Sequence, residues 1–148
     1  MNPHFFAAGK DDIDLILEMQ EEYYALDNYT FNREMAKEAL RIFINDASYG
    51  KLWLIFINNQ TAGYAALTLG YSFEFGGRDA FLDELYLRSD YRHQGIGAAA
   101  VDFVAEQAKS MGVKAIHLEV EIQNESGISL YRRYGFQDHK RMLMTRWV

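Results

Sequence analysis

Residues 82–98 read Leu82-Asp83-Glu84-Leu85-Tyr86-Leu87-Arg88-Ser89-Asp90-Tyr91-Arg92-His93-Gln94-Gly95-Ile96-Gly97-Ala98, and this stretch decides the fold. A strand over 82–87 runs through a polar turn into a glycine-bearing loop that opens an apolar-periodic helix. The first helical N–H groups have no partner inside the helix, and the peptide dipoles add roughly half a positive charge there. Without a Cβ at Gly95 and Gly97, the backbone is free to close around an anion such as a pyrophosphate. Two phosphate-binding patterns compete for these residues. Gly95-Ile96-Gly97-Ala98-Ala99-Ala100 fits the dinucleotide pattern G-x-G-x-x-A, with Glu119 downstream as ribose partner. That pattern wants its first glycine almost directly after the strand, whereas here residues 88–94 intervene. Only residues 98–148 would remain to build its other units. The dinucleotide reading therefore ranks second.

Downstream, the helix over 96–111 turns Ala100, Val101, Val104, Ala105 and Ala108 to a core, and Gly112 is placed to end it. A strand over 115–122, a short helix over 126–134 closed by Gly135, and a final strand over 139–147 come next. Upstream, residues 79–87 form the central strand, and 51–57 and 61–71 form a hairpin about Asn58-Asn59-Gln60. Their nearly continuous hydrophobicity predicts burial on both faces. The loop over 72–78 carries aromatics that are expected to pack down. Before the hairpin, Asn32 is placed to cap a helix bearing Ala36, Ala39, Leu40 and Phe43. Asp11 or Asp12 caps an earlier helix with Ile13, Ile16, Leu17 and Tyr24 on one face. Residues 4–8 suit an edge strand. The order is β-α-α-β-β-β-α-β-α-β, a mixed α/β sheet with helices on both faces, in a single domain over 1–148.

Bulk numbers narrow the function. The chain has 148 residues, 49% apolar and 15% aromatic, enough for a proper core. It has no cysteine, which removes disulfides, a thiolate nucleophile and thiolate metal sites. His117 shares a strand face with Glu119, but one histidine makes no metal site. Met1-Asn2-Pro3-His4 lacks the features of a secretory signal, and the longest apolar run, 52–57, is far too short for a membrane span. The expectation is a cytoplasmic protein without a membrane partner. The net charge of −6 speaks against nucleic acid and mildly favours a cationic small molecule. Glu21, Glu22, Tyr23, Tyr24 and Tyr29 suit either a solvated acidic face or a wall that attracts ammonium groups. Met142, Met144 and Trp147 suit either packing inside the sheet or extending it across a homodimer.

Arg92-His93-Gln94-Gly95-Ile96-Gly97 resembles the (Gln/Arg)-x-x-Gly-x-(Gly/Ala) motif of the GCN5-related N-acetyltransferase superfamily, preceded by a run like that family's fourth strand. About thirty residues on, Asn124, Tyr131 and Gly135-Phe136 resemble its second signature, Asn-x-x-(Ala)-x-x-x-Tyr-x-x-x-Gly-Phe. His93 stands where Gly is common, and Gly127 where Ala is common. The resemblance implies that the fourth and fifth strands splay apart to admit the pantetheine arm of acetyl-CoA. It places the backbone of Leu85, Tyr86 and Leu87 along that arm. Arg92, His93, Gln94, Gly95, Ile96, Gly97 and Ala98 would surround the pyrophosphate, with Asn124 on the other side. It further implies acetyl transfer to a small-molecule or peptide amine, with Tyr131 as general acid.

Three acids compete to be the base. Asp83 holds the position used in diamine and aminoglycoside acetyltransferases, with a shorter side chain than the Glu usual there. Glu119, twelve residues before Tyr131, resembles the base of the protein N-terminal acetyltransferases. Adjacent strand residues point to opposite faces, so only one of Asp83 and Glu84 is expected to see the cleft. Glu84 is expected to be a buried carboxylate paired with an arginine. A catalytically silent acyl-CoA sensor is the alternative function.

Overall fold

Asn58 and Asn59 both take positive φ, 49° and 64°, and close the central hairpin in two residues. The structure, a computed structural model, describes residues 2–148. The Asn58-Asn59 turn sets Ile57 opposite Gln60 and starts the antiparallel pairing of β2 (Gly50–Ile57) with β3 (Gln60–Ser72). β4 (Gly77–Leu87) returns antiparallel along β3, and β1 (His4–Ala7) covers the free side of β2. β5 (Ala115–His117) joins β4 in parallel, which requires a crossover, supplied by α3 (Ile96–Ser110). The sheet order is β1-β2-β3-β4-β5.

Both faces of the sheet are covered, as the hydrophobic runs predict. Leu52, Leu54, Tyr64 and Ala66 pack against Ile16, Leu17, Met19 and Leu40 of α1 (Ile13–Leu26) and α2 (Arg33–Asn45). On the other face Trp53, Ala65 and Leu67 meet Val101, Val104 and Ala108 of α3. Asn32 caps α2, its Oδ1 accepting the Met35 N–H at 3.1 Å. Gly112 ends α3 at φ 78°, and Gly135 comes after α4 (Glu125–Arg133) at φ 94°. No helix of the described residues is long and apolar enough to cross a membrane.

Three expectations change. β5 stops at His117 instead of reaching Ile122. The final strand over 139–147 does not form. There the chain crosses β5, with His139 against His117, and Arg141 pairs with Glu74 in the β3–β4 turn. Leaving the sheet edge behind, it finds no ladder to join, so Met142, Met144 and Trp147 stay exposed. Of the aromatics in the β3–β4 turn, Phe75 packs down, 4.7 Å from the His117 ring, while Phe73 faces solvent, as does Tyr71 near the end of β3.

Gly63 sits opposite Leu87, where β4 hands over to the glycine-bearing loop. A Cβ there would fall 1.9 Å from the Tyr86 carbonyl oxygen, a backbone atom with no freedom to retreat. Gly63→Ala is expected to destabilise the fold by roughly 2–4 kcal/mol, read as a lowered midpoint of thermal or urea unfolding.

Candidate functional site

β4 holds one residue more than its neighbour. Ala66 lies opposite Glu84 and Leu67 opposite Leu82, leaving Asp83 without a partner in a β-bulge. The extra residue reverses the strand's alternation. Ala80 and Leu82 pack on the α3 face, whereas Glu84 and Tyr86 reach the α1 face. Asp83, one position after Leu82, therefore shares the side of Glu84. The expected opposition of the two acids does not occur, because strict alternation holds only in an unbroken ladder.

The β4–β5 ladder also ends at this point. Its last pair is Phe81 with His117, and from Leu82 onward β4 has no neighbour on that side. The two strands thus open into a cleft flanked by Asp83 on β4 and Glu119 beyond β5.

Glu84 has no arginine. Its Oε1 accepts from Gln20 Nε2 at 3.0 Å and from the Tyr64 hydroxyl at 2.8 Å, and its Oε2 accepts from the Tyr24 hydroxyl at 2.7 Å. The arginine at the end of β4, Arg88, pairs instead with Glu18 and Glu22. Glu84 is thus caged by neutral donors, with no cationic side chain bonded to it. Burial, and then the Glu84 charge, push the phenols of Tyr23, Tyr24 and Tyr64 well above the usual tyrosine range. Tyr86 donates to Glu22 at 2.9 Å and is pushed up to about 12, by burial first.

Asp83 is raised above the usual aspartate range by desolvation first, then by the charges of Glu84 and Glu119. Tyr131, half-buried on α4 with its ring 5.8 Å from Phe136, is raised by burial. Beside its burial, the Tyr23 phenol is raised by the nearby Glu84, Tyr131, Asp27 and Asp83.

Past Leu87 the loop is braced. Arg92 Nε donates to the Leu87 carbonyl at 2.8 Å, its guanidinium lies 5.8 Å from the Tyr86 ring centre, and Gln94 Nε2 donates to the Asp90 carbonyl at 2.7 Å. His93 (φ 60°) and Gly95 (φ 81°) turn the chain into α3. Ala99 is the first residue whose N–H the helix satisfies, bonding Gly95 O at 3.1 Å. The amides before it are open to an anion. A Cβ on Gly97 would touch Leu130 at 3.4 Å, the point where α3 meets α4. Leu85 and Leu87 pack beside Ile96 and Ala100, leaving their backbone along the cleft. Asn124 acts as the N-cap of α4, its Oδ1 accepting the Gly127 N–H at 3.0 Å. A Cβ on Gly127 would lie 2.6 Å from the Asn124 amide, so glycine there makes room for the cap.

Sequence reading missed Gln20 and Tyr64, and it named Tyr24 without its bond to Glu84. The available signal was a tyrosine in the middle of an otherwise apolar strand, since a buried hydroxyl demands a partner. His117 is bound to Asp79 at 3.0 Å, a structural pairing between β5 and β4. No cluster of metal-ligating side chains occurs among the described residues. Tyr64→Phe, which leaves Glu84 one donor short, is expected to cost about 1–3 kcal/mol in thermal or denaturant unfolding.

Residues 14–136 match the Acetyltransferase (GNAT) family. An uncharacterized N-acetyltransferase of Methanocaldococcus jannaschii is 25% identical over 131 residues, covering 87% of this chain and 58% of that protein. The thialysine N-epsilon-acetyltransferase of Mus musculus is 27% identical over 139 residues, covering 88% of this chain and 82% of that one. A predicted acetyltransferase of Clostridium acetobutylicum, solved with acetyl-CoA, superposes with a TM-score of 0.84 at 20% identity, covering 98% of this chain and 96% of that one.

Proposed function

Since the chain belongs to the acetyltransferase (GNAT) family, we propose that it moves an acetyl group from acetyl-CoA to a primary amine by direct attack. The observation that carries this reading is the cleft that opens once the β4–β5 ladder ends at Phe81 and His117. A bare strand edge on one side and open helix amides at its end suit a cofactor with an amide-bearing arm and a diphosphate. The backbone of Leu85, Tyr86 and Leu87 would bond the arm. The amides of His93, Gln94, Gly95, Ile96, Gly97 and Ala98 would hold the diphosphate, and Asn124 would meet it with its free amide nitrogen. Arg92, already tied to the Leu87 carbonyl, would act by holding the loop in shape. Acetyl-CoA supplies an acetyl group activated as a thioester.

The chain's part is to position the amine and move two protons. An ammonium must become an amine before it can attack. Both oxygens of Glu84 are occupied by donors, which leaves Asp83 and Glu119 at the cleft to take the proton. Asp83 is the better suited, because its burial, and then the like charges beside it, raise its affinity for a proton. Its short side chain works through a water. Tyr131 Oη gives its proton to the departing sulfur. Three acidic side chains, Asp83, Glu84 and Glu119, make the opening attractive to a cationic acceptor. The acceptor class is a small polyamine-like or aminoglycoside-like amine, or a peptide N-terminus. The mouse relative's name, with its N-epsilon position, favours an amine at the end of a flexible chain.

Thiol release from acetyl-CoA against pools of such amines tests the reading, and release with at least one pool is expected. Binding of acetyl-CoA without release from any pool would leave a silent sensor. Tyr131→Phe is expected to lower kcat by about 100-fold with acetyl-CoA affinity unchanged. In the pH profile of kcat/KM, activity should fall as pH drops through the raised value of Asp83. Asp83→Asn should remove that limb, and Glu84→Gln should move it to lower pH.

A further inference from the structure

The sheet is left open at the end where β2 begins. Both helix layers run out there, α2 at Asn45 and α3 at Ser110. The chain enters β2 through Gly50, at φ 142°. A Cβ on Gly50 would fall 1.9 Å from the Leu67 carbonyl oxygen and 3.0 Å from the Phe43 ring, so no side chain stands at this corner. What remains is a cavity of about 290 Å³, with room for about ten water-sized groups. Phe43, Ile44 and Leu52 line it from the α2 side, Leu69 and Met111 from the α3 side. It is separate from the cleft. Arg78, also in its lining, stands five residues before Asp83, roughly 17 Å back along β4.

The charged side chains of this lining are all of one sign. Lys51 on β2 and Arg78 on β4 flank β3 from its two sides. Counted by register, their Cα atoms lie roughly 16 Å apart, a gap that two long side chains and a carboxylate between them can span. Among the described residues neither is in an ion pair. Lys51 Nζ lies 6.0 Å from the centre of the Trp53 ring. No acid lines the cavity, although the chain holds 21 acidic and 15 basic residues. The acids beside the lining in sequence are engaged elsewhere. Asp46 Oδ1 accepts from the Ser48 hydroxyl at 2.6 Å and its N–H at 3.0 Å, and Asp79 is bound to His117. Nor do the helix ends use the cations. The carbonyls of Phe43, Gln107, Ala108 and Lys109 accept from the N–H groups of residues 46 and 111–113. An apolar cavity rimmed by two unpaired cations is complementary to an amphipathic anion.

We propose that this cavity binds a small aliphatic monocarboxylate of about eight carbons, a size set by its volume. The carboxylate lies between Arg78 and Lys51, and the hydrocarbon body rests on Leu52, Leu69 and Phe43. A monoanion is favoured over a phosphate ester, because a dianion gives up more hydration on entering apolar surroundings. The inference rests on the sheet end and does not depend on the acetyl-transfer reading.

Octanoate is the probe, and octanamide, equal in size but uncharged, is its control. Titration calorimetry of the full-length chain should show one octanoate bound per chain with a Kd below about 1 mM, and octanamide weaker by at least about tenfold. Lys51→Gln combined with Arg78→Gln, both at exposed positions, should weaken octanoate by a similar factor with an unchanged circular dichroism spectrum. In proton–nitrogen correlation spectra of labelled protein, octanoate should move the amides of Gly50, Lys51 and Leu69 and leave those of residues 93–98 in place. Absence of saturation by about 10 mM octanoate would overturn the proposal. So would octanamide binding as tightly, or an unchanged affinity in the double variant. Shifts confined to residues 93–98 would overturn it as well, by putting the carboxylate at the open amides of α3. If the double variant fails to fold, the octanamide comparison and the spectra decide alone.

Discussion

One surplus residue, Asp83, governs the rest of the structure. The sheet is packed on both faces, so each strand position is committed to the α1 layer or to the α3 layer. By making two residues of β4 answer to one of β3, the bulge changes that commitment in mid-strand. Before it, Ala80 and Leu82 serve the α3 core. After it, Glu84 and Tyr86 serve the α1 side. A bulged strand bends and twists more than its neighbours, and the parallel partner does not track it past Phe81. The register shift, the acid pair and the cleft are thus one event in the backbone.

The choice of partners for Glu84 stems from the same place. A buried carboxylate needs donors, and an arginine would supply them while cancelling its charge. Glu22, nearby on α1, has that arrangement with Arg88 and ties the helix to the end of β4. Glu84 is held by two phenols and an amide, which satisfy its oxygens without a cationic partner. The consequence is felt by Tyr23, Tyr24, Tyr64 and Asp83, each raised by burial first and by Glu84 second. The Oε1 of Gln20 is left without a partner, since its amide nitrogen is turned toward Glu84.

What the sequence revealed was local, and what it hid was paired at long range. The Asn58-Asn59 turn, the Asn32 cap, the glycine at 112 and the apolar face of α3 each depend on residues a few positions apart, and each reads directly, except that Ala105, expected in the core, is exposed. The two motifs place the Gly95–Gly97 loop and α4 for the same reason. The bulge does not read, because Leu82-Asp83-Glu84-Leu85 fits an unbroken strand equally well until β3 is laid against it. The donors of Glu84 lie 20 to 64 positions away, beyond any spacing rule. Residues 139–147 show the converse. Their composition suits a strand, but a strand exists only on a ladder, which composition does not supply.

The loop from Leu87 to α3, the proposed diphosphate cradle, is braced on both sides. Gly95 is needed for its left-handed backbone, because a Cβ there would meet nothing within 4 Å. Gly97 has an ordinary helical backbone, and a Cβ there would only come into contact with the end of the Leu130 side chain at 3.4 Å. His93 lacks the freedom of Gly95. It takes φ 60° with a full side chain, at a cost of roughly 1 kcal/mol. Such strain persists only where surrounding contacts over-determine the backbone. Here the braces are the residues on either side, Arg92 bonded to Leu87 and Gln94 bonded to Asp90. The side chains of the motif therefore fasten the loop to the strand before it. The amides of residues 95–98 are left with their direction fixed, so a diphosphate would find them already ordered and bind without paying to arrange them.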